Sequence, residues 1–182
     1  LERQSAQSPG SADSRHCRNP IDFCRSATQQ AILSTLQPIT MSIQFRFLED
    51  IARADTAFEA SGDSPSELFT AAAQAVIEAM VNPETVSSSW HKVIERQDET
   101  LPSLLLDWLS DLVYLKDAEG VVFREATAAV IEDQTNKGWR LQGTLRGEPI
   151  DPQRHELRAD VKAVTKHLYE VRQDSNRWVA RV

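Results

Sequence analysis

The fold is decided by residues 100–131, which read TLPSLLLDWLSDLVYLKDAEGVVFREATAAVI. Leucines and a tryptophan recur in the first half at intervals of three and four residues, which is the spacing of one buried helical face. Thr100 suits the start of that helix and Gly120 its end. Beyond Gly120 the pattern becomes that of strands, and residues 121–131 and 139–146 flank a polar loop as a hairpin would.

The pattern extends in both directions from this stretch. Ser64-Pro65-Ser66-Glu67 is a capping-box sequence, and it predicts a first helix that ends before Asn82-Pro83. Alternating side chains predict strands at residues 43–48, 56–60, 90–95, 160–172 and 177–182, with a loop at residues 147–155. This order is neither a βαβ alternation nor all-β. We therefore expect an α+β fold in which a mostly antiparallel sheet packs with two main helices, and in which Trp108 and Tyr114 lie in the core.

Composition limits the class of protein. The chain has 182 residues, a net charge of −7 and 41% apolar residues, which is enough for a core. No apolar run is long enough to cross a bilayer, so an integral membrane protein is not expected. A negative chain does not attract phosphate backbones, so direct binding of nucleic acid is not expected either.

The first 40 residues differ from the rest. They are rich in Ser, Gln and Pro, and they contain both cysteines, Cys17 and Cys24, at a spacing that fits no common zinc site. We expect a disordered leader over residues 1–40, upstream of a natural start at Met41, and a single domain over residues 41–182. That domain has no cysteine, no phosphate-binding glycine loop, no Gly-x-Ser-x-Gly sequence and no histidine pair at ligand spacing, which disfavours the common enzyme classes.

Two groups of polar residues remain. Glu49, Asp50 and Asp55 lie between the first two predicted strands, where carboxylates suit a hard cation such as Ca²⁺ or Mg²⁺, or are simply solvated. The second group suits either a site that holds a partner or a phosphate, or a well-capped surface loop. It comprises Asp151, Arg154, His155, Asp160 and Lys162.

Several short segments resemble the archease family when they are taken in order. They cover nearly all of residues 41–182. The segments are Phe47-Leu48-Glu49, Ala54-Asp55, Gly62-Asp63-Ser64, Glu67-Leu68-Phe69, Leu106-Asp107-Trp108-Leu109, Tyr114-Leu115, Asp151-Pro152, Arg154-His155, Val161-Lys162-Ala163-Val164-Thr165 and Trp178-Val179-Ala180-Arg181-Val182.

The resemblance implies a fold and a function. The fold is a strand-helix-strand-strand core with an inserted module. The function is that of a cytoplasmic protein cofactor, not an enzyme, that activates the GTP-dependent RNA ligase in tRNA splicing or RNA repair. It promotes guanylylation of the ligase's active-site histidine and so permits multiple turnover. The partner is the ligase itself, with no direct contact to nucleic acid or membrane.

The resemblance also assigns residues. Asp55 matches the family's first metal-binding aspartate, although Ala52 replaces the histidine of the family's His-Thr-Ala-Asp stretch, and Asp50 is a candidate to compensate. Lys162 matches the family's functional lysine, and Asp151, Arg154 and His155 are expected to bind the partner. The implied cofactor is Ca²⁺ or Mg²⁺. The family's second metal-binding aspartate follows the Ala-Arg-Val stretch, so we expect a sequence truncated at Val182 or a site that lacks one carboxylate.

Two other functions stay open on the residues alone. The first is a general protein chaperone or assembly modulator without metal chemistry. The second is an independent hydrolase that uses Asp55, Asp151 and His155.

Overall fold

The computed structural model describes residues 44–48, 56–135 and 137–182. The leader predicted over residues 1–40 lies outside them. Within the described ranges, seven strands and two main helices follow one another, with a 3₁₀ turn at Pro83–Thr85. They are β1 (Gln44–Phe47), β2 (Phe58–Gly62), α1 (Pro65–Met80), β3 (Trp90–Asp98), α2 (Leu101–Glu119), β4 (Val121–Asp133), β5 (Gly138–Pro149), β6 (Glu170–Asp174) and β7 (Arg177–Arg181).

The strands form two antiparallel sheets. One sheet has the order β1-β2-β7-β6 and the other has the order β3-β5-β4. The predicted α+β class with two main helices is confirmed, and the expected single sheet is divided into two. No helix of the described residues is both long and apolar enough to cross a membrane.

Local signals set the ends of both helices. Ser64 Oγ accepts a hydrogen bond from the backbone N–H of Glu67 at 3.2 Å, and the Glu67 carboxylate accepts one from the backbone N–H of Asp63 at 2.8 Å. Thr100 caps α2 in the same way through its hydroxyl oxygen. Gly120 ends α2 with φ +63°, in the left-handed region that glycine adopts without strain.

The core lies between the helices and the sheets. Trp108 of α2 is fully buried, and its indole N–H donates to the backbone oxygen of Phe69 in α1 at 3.2 Å. The Trp108 ring lies against Gly143 of β5, where an added Cβ would come within 2.4 Å of the ring. The expectation that Tyr114 is also in the core is wrong: its side chain is 66% exposed, because it points away from the face that carries Trp108.

Helix α1 also covers an edge of the three-stranded sheet. Ser66 Oγ accepts from the backbone N–H of Val130 at 2.9 Å, and Thr70 Oγ1 accepts from that of Ala128 at 3.1 Å. Since β4 is an edge strand, these hydroxyls bind N–H groups that the sheet leaves unpaired.

Two strand predictions need correction after β5. Strand β5 runs to Pro149, so residues 147–149 are not part of a loop. Residues 160–169 are not strand, and only residues 170–172 of the predicted 160–172 segment are, as the start of β6. The backbone at Arg158 and Ala159 instead donates to the backbone oxygens of Met80 and Ala79, at 2.9 Å each, so the segment is held along the end of α1.

Candidate functional site

A cleft of about 400 Å³ lies between α1, the start of β2, the end of β7 and residues 159–165. Thr56 and Lys162 line it from opposite chain segments, and Val76 contributes an apolar wall from α1. Val182 pairs with Phe58 through two backbone hydrogen bonds of 2.9 and 3.0 Å, which fixes the β2–β7 side of the cleft.

Among the described residues that line the cleft, Lys162 is the accessible cation. Its side chain is 82% exposed, and its Nζ lies 3.9 Å from Asp160 Oδ2. The Asp160 carboxylate accepts a closer hydrogen bond from Lys116 Nζ at 2.9 Å, and this bond holds the pKa of Asp160 below its ordinary value. Asp160 is therefore bound chiefly by Lys116, which leaves the Lys162 ammonium open to solvent.

Lys116 sits between two carboxylates at the end of α2. Its Nζ lies 2.6 Å from Asp117 and 2.9 Å from Asp160. Burial lowers the pKa of Lys116, but the hydrogen bonds to Asp117 and Asp160 outweigh burial, so the pKa is raised overall. This pairing joins α2 to the segment that carries Lys162.

The predicted metal ligands Asp50 and Asp55 lie outside the described residues. Thr56, which follows Asp55 in the sequence, lines the cleft. Within the described ranges no group of three or more His, Cys, Asp or Glu side chains could hold a metal ion, and the carboxylate in the cleft, Asp160, faces two lysines. The described part of the cleft therefore provides no such ligand group, and a cation site at Asp50 and Asp55 stays a prediction.

The second predicted group is organised by a residue that the sequence did not single out, Glu148. The buried His155 ring places Nε2 3.0 Å from Glu148 Oε1. The other ring nitrogen, Nδ1, accepts a hydrogen bond from the backbone N–H of Asp151 at 3.0 Å. Because a backbone N–H can only donate, the ring hydrogen is on Nε2 and is donated to Glu148.

Arg154 binds the same carboxylate from the other side. Its Nη2 lies 2.6 Å from Glu148 Oε2, and its Nη1 donates to the backbone oxygen of Thr85 at 3.2 Å. The hydrogen bond from Arg154, followed by one from the backbone N–H of Ser87, holds the pKa of Glu148 well below its usual range. The same bond raises the pKa of Arg154. The loop after β5 is thus tied to the chain around the 3₁₀ turn.

The structure brings three of the four predicted partner-binding residues together. Asp151, Arg154 and His155 meet around Glu148, whereas Lys162 lies next to Asp160 in the cleft. His155 has both ring nitrogens engaged and is buried, so it lacks a free nitrogen for a hydrolase base. The sequence does not indicate Glu148, because residues 147–155 are predicted as a loop, whereas the strand before them continues for three more residues.

Residues 45–182 match the model of the archease protein family (MTH1598/TM1083). The chain belongs to the archease family. It is 35% identical to the archease of Methanopyrus kandleri over 127 residues, which is 70% of this chain and 89% of that protein. It is also 35% identical to the Pyrococcus abyssi archease over 130 residues, or 71% of this chain and 90% of that protein.

A solved structure supports the same assignment. The solution structure of Methanobacterium thermoautotrophicum protein 1598 superposes with a TM-score of 0.65 at 34% identity, and covers 77% of this chain and 96% of that one. The archease resemblance predicted from the sequence is therefore confirmed. The archease match includes both Lys162 at the cleft and the Glu148 cluster.

Proposed function

We propose that this protein is a cytoplasmic activator of a GTP-dependent RNA ligase. It promotes guanylylation of the ligase's active-site histidine and so allows repeated turnover in tRNA splicing or RNA repair. The observation that carries the proposal is the archease match across residues 45–182, which includes the cleft with Lys162 at its rim.

The proposal treats the protein as an accessory protein and not as a catalyst. His155, the base of the alternative hydrolase, is buried between Glu148 and the Asp151 backbone. Lys162 instead offers an open ammonium that suits a carboxylate of a partner protein, and Arg154 is half exposed at the neighbouring loop. We assign partner binding to Lys162, Asp151 and Arg154. His155 holds the loop that carries Asp151 and Arg154 in place.

The proposal includes a divalent cation held by Asp55 together with Asp50. Aspartate oxygens are hard ligands that suit Ca²⁺ or Mg²⁺. A bound cation would neutralise these carboxylates. Lys162 adds a positive charge to the cleft that Thr56, the residue after Asp55, also lines.

The test is a sealing assay with a purified GTP-dependent RNA ligase, GTP and RNA that carries a 3′-phosphate end. Ligase in limiting amount is expected to stop near one product per ligase without this protein and to continue with it. Guanylylated ligase, measured with radiolabelled GTP, should rise in parallel. Unchanged turnover and guanylylation would contradict the proposal. A general chaperone would instead raise the yield of soluble ligase without changing guanylylation per folded ligase.

A further inference from the structure

A second groove lies on the other side of the Lys162 segment. It has a volume of about 490 Å³ and separates α2 from residues 162–164. Val113 and Val164 supply apolar walls, and Tyr114 and Lys162 line it from opposite sides. Because Lys162 lines both this groove and the cleft, the two cavities share one wall.

Tyr114 lies on the exposed face of α2, together with Ser110 and Asp117. Its side chain is 66% exposed, whereas the adjacent Val113 and Leu115 are buried. Burial in the fold therefore does not account for an aromatic ring at this position. Tyrosine is one of the residue types enriched among the anchors of protein–protein contacts, since its ring buries a large area with few rotatable bonds.

The charges around the groove favour an acidic occupant. Asp117 and Asp160 are both bound to Lys116, at 2.6 and 2.9 Å. Lys162 has only the looser 3.9 Å contact to Asp160 and is 82% exposed. Asp117 also lines the groove and is 58% exposed, so the four charges sum to zero; Lys162 carries the most exposed and least tightly paired of them, and it complements a carboxylate.

We propose that the groove between Tyr114 and Lys162 is the docking site for a segment of the RNA ligase. The segment places an apolar side chain against the Tyr114 ring and the carboxylate of a nearby Asp or Glu on Lys162. The identity of the partner rests on the proposed function, whereas the groove and its charge do not.

The test measures the affinity of the full chain for the purified ligase. Tyr114→Ala is expected to raise Kd about tenfold, because it removes the central aromatic anchor. Lys162→Met should weaken binding and flatten its dependence on salt concentration, whereas Lys162→Arg keeps the charge and should bind nearly normally. The control for Tyr114→Ala is Ile131→Ala, which truncates an apolar side chain that is 62% exposed on β4. The control for Lys162→Met is Lys166→Met, four residues further along the chain. Neither control should change Kd.

A cross-linking experiment keeps the test independent of folding. A photoreactive phenylalanine analogue at position 114 should cross-link to the ligase, and the same analogue at position 131 should not. Equal Kd values for Tyr114→Ala and Ile131→Ala, or equal cross-linking at both positions, would overturn the docking site. If Tyr114-dependent binding is found but ligase turnover does not rise, the docking site stands and the proposed function fails.

Discussion

Glu148 accepts a hydrogen bond from the buried imidazole of His155, whose Nε2 lies 3.0 Å from the carboxylate. The His155 ring is in turn fixed by the backbone N–H of Asp151, and Arg154 binds the second Glu148 oxygen. One carboxylate therefore anchors the loop that follows β5. The ionised Glu148 carboxylate therefore sets the arrangement of the side chains that the sequence predicts to bind the partner.

Acidification is expected to destabilise the protein through Glu148. Its pKa is held below the ordinary value of 4.5, chiefly by the hydrogen bond from Arg154. A depressed native pKa means that the unfolded state binds more protons as the pH falls below that value. The contribution of Glu148 is therefore complete above about pH 4.5 and is lost on further acidification. Thermal melts should show the melting temperature falling more steeply with acid in the wild type than in Glu148→Gln.

The Glu148→Gln protein should also have a lower melting temperature than the wild type at neutral pH, because Arg154 loses its ionised partner. Glu99→Gln, at an exposed position after β3, is the control and should follow the wild-type curve. If the melting temperature falls as steeply with acid in Glu148→Gln as in the wild type, other carboxylates govern stability in acid.

Gly143→Ala should destabilise the junction of α2 and β5. The new methyl group would lie 2.4 and 2.5 Å from two carbons of the Trp108 ring, so the buried ring has to shift. Overpacking of this kind costs about 1–3 kcal/mol of unfolding free energy. Urea denaturation followed by tryptophan fluorescence measures the loss. Thr144→Ala, one position along β5, should cost less, and equal urea midpoints for the two variants would contradict the close packing.

Most of the fold could be predicted because its signals are local. Ser64 and Thr100 cap the helices through bonds three residues away, and Gly120 supplies the left-handed end of α2. The β4–β5 hairpin follows from two strand patterns around a short polar loop. Each of these features depends on neighbours in the sequence, which is the information that a single sequence contains.

The segment after β5 could not be predicted in the same way. Residues 160–165 alternate like a strand, yet the backbone before them at Arg158 and Ala159 bonds to the end of α1, almost 80 residues earlier. The role of Glu148 could not be predicted for the same reason, because Ser87, one of its hydrogen-bond partners, is 61 residues away in the sequence. Such pairings depend on tertiary packing, so a local pattern indicates neither the segment's conformation nor the centre of the polar cluster.

Removing the Arg158 guanidinium should loosen the end of α1. Its Nη1 donates to the backbone oxygen of Glu78 at 2.8 Å and lies 2.6 Å from the Glu78 carboxylate. These bonds bind a helix-terminal oxygen that has no partner within the helix. Arg158→Ala should cost about 1 kcal/mol of unfolding free energy, measured by urea denaturation. Lys166→Ala is the control, and a loss no larger than in that variant would contradict a capping role.

Removal of the cation should abolish the activating effect if Asp55 holds it. A chelator removes the bound cation from this protein, and the chelator is then removed before the protein is mixed with the ligase. The ligase therefore keeps its own metal ions. Stimulation of ligase turnover should fall at least about tenfold and return on addition of Ca²⁺ or Mg²⁺, because ligand charge sets affinity for these ions. Asp55→Ala should not respond to the added ion and should show weaker Ca²⁺ binding by calorimetry, whereas Asp174→Ala, in the β6–β7 hairpin, should behave as the wild type. Stimulation that survives both stripping and Asp55→Ala would favour a modulator without metal chemistry.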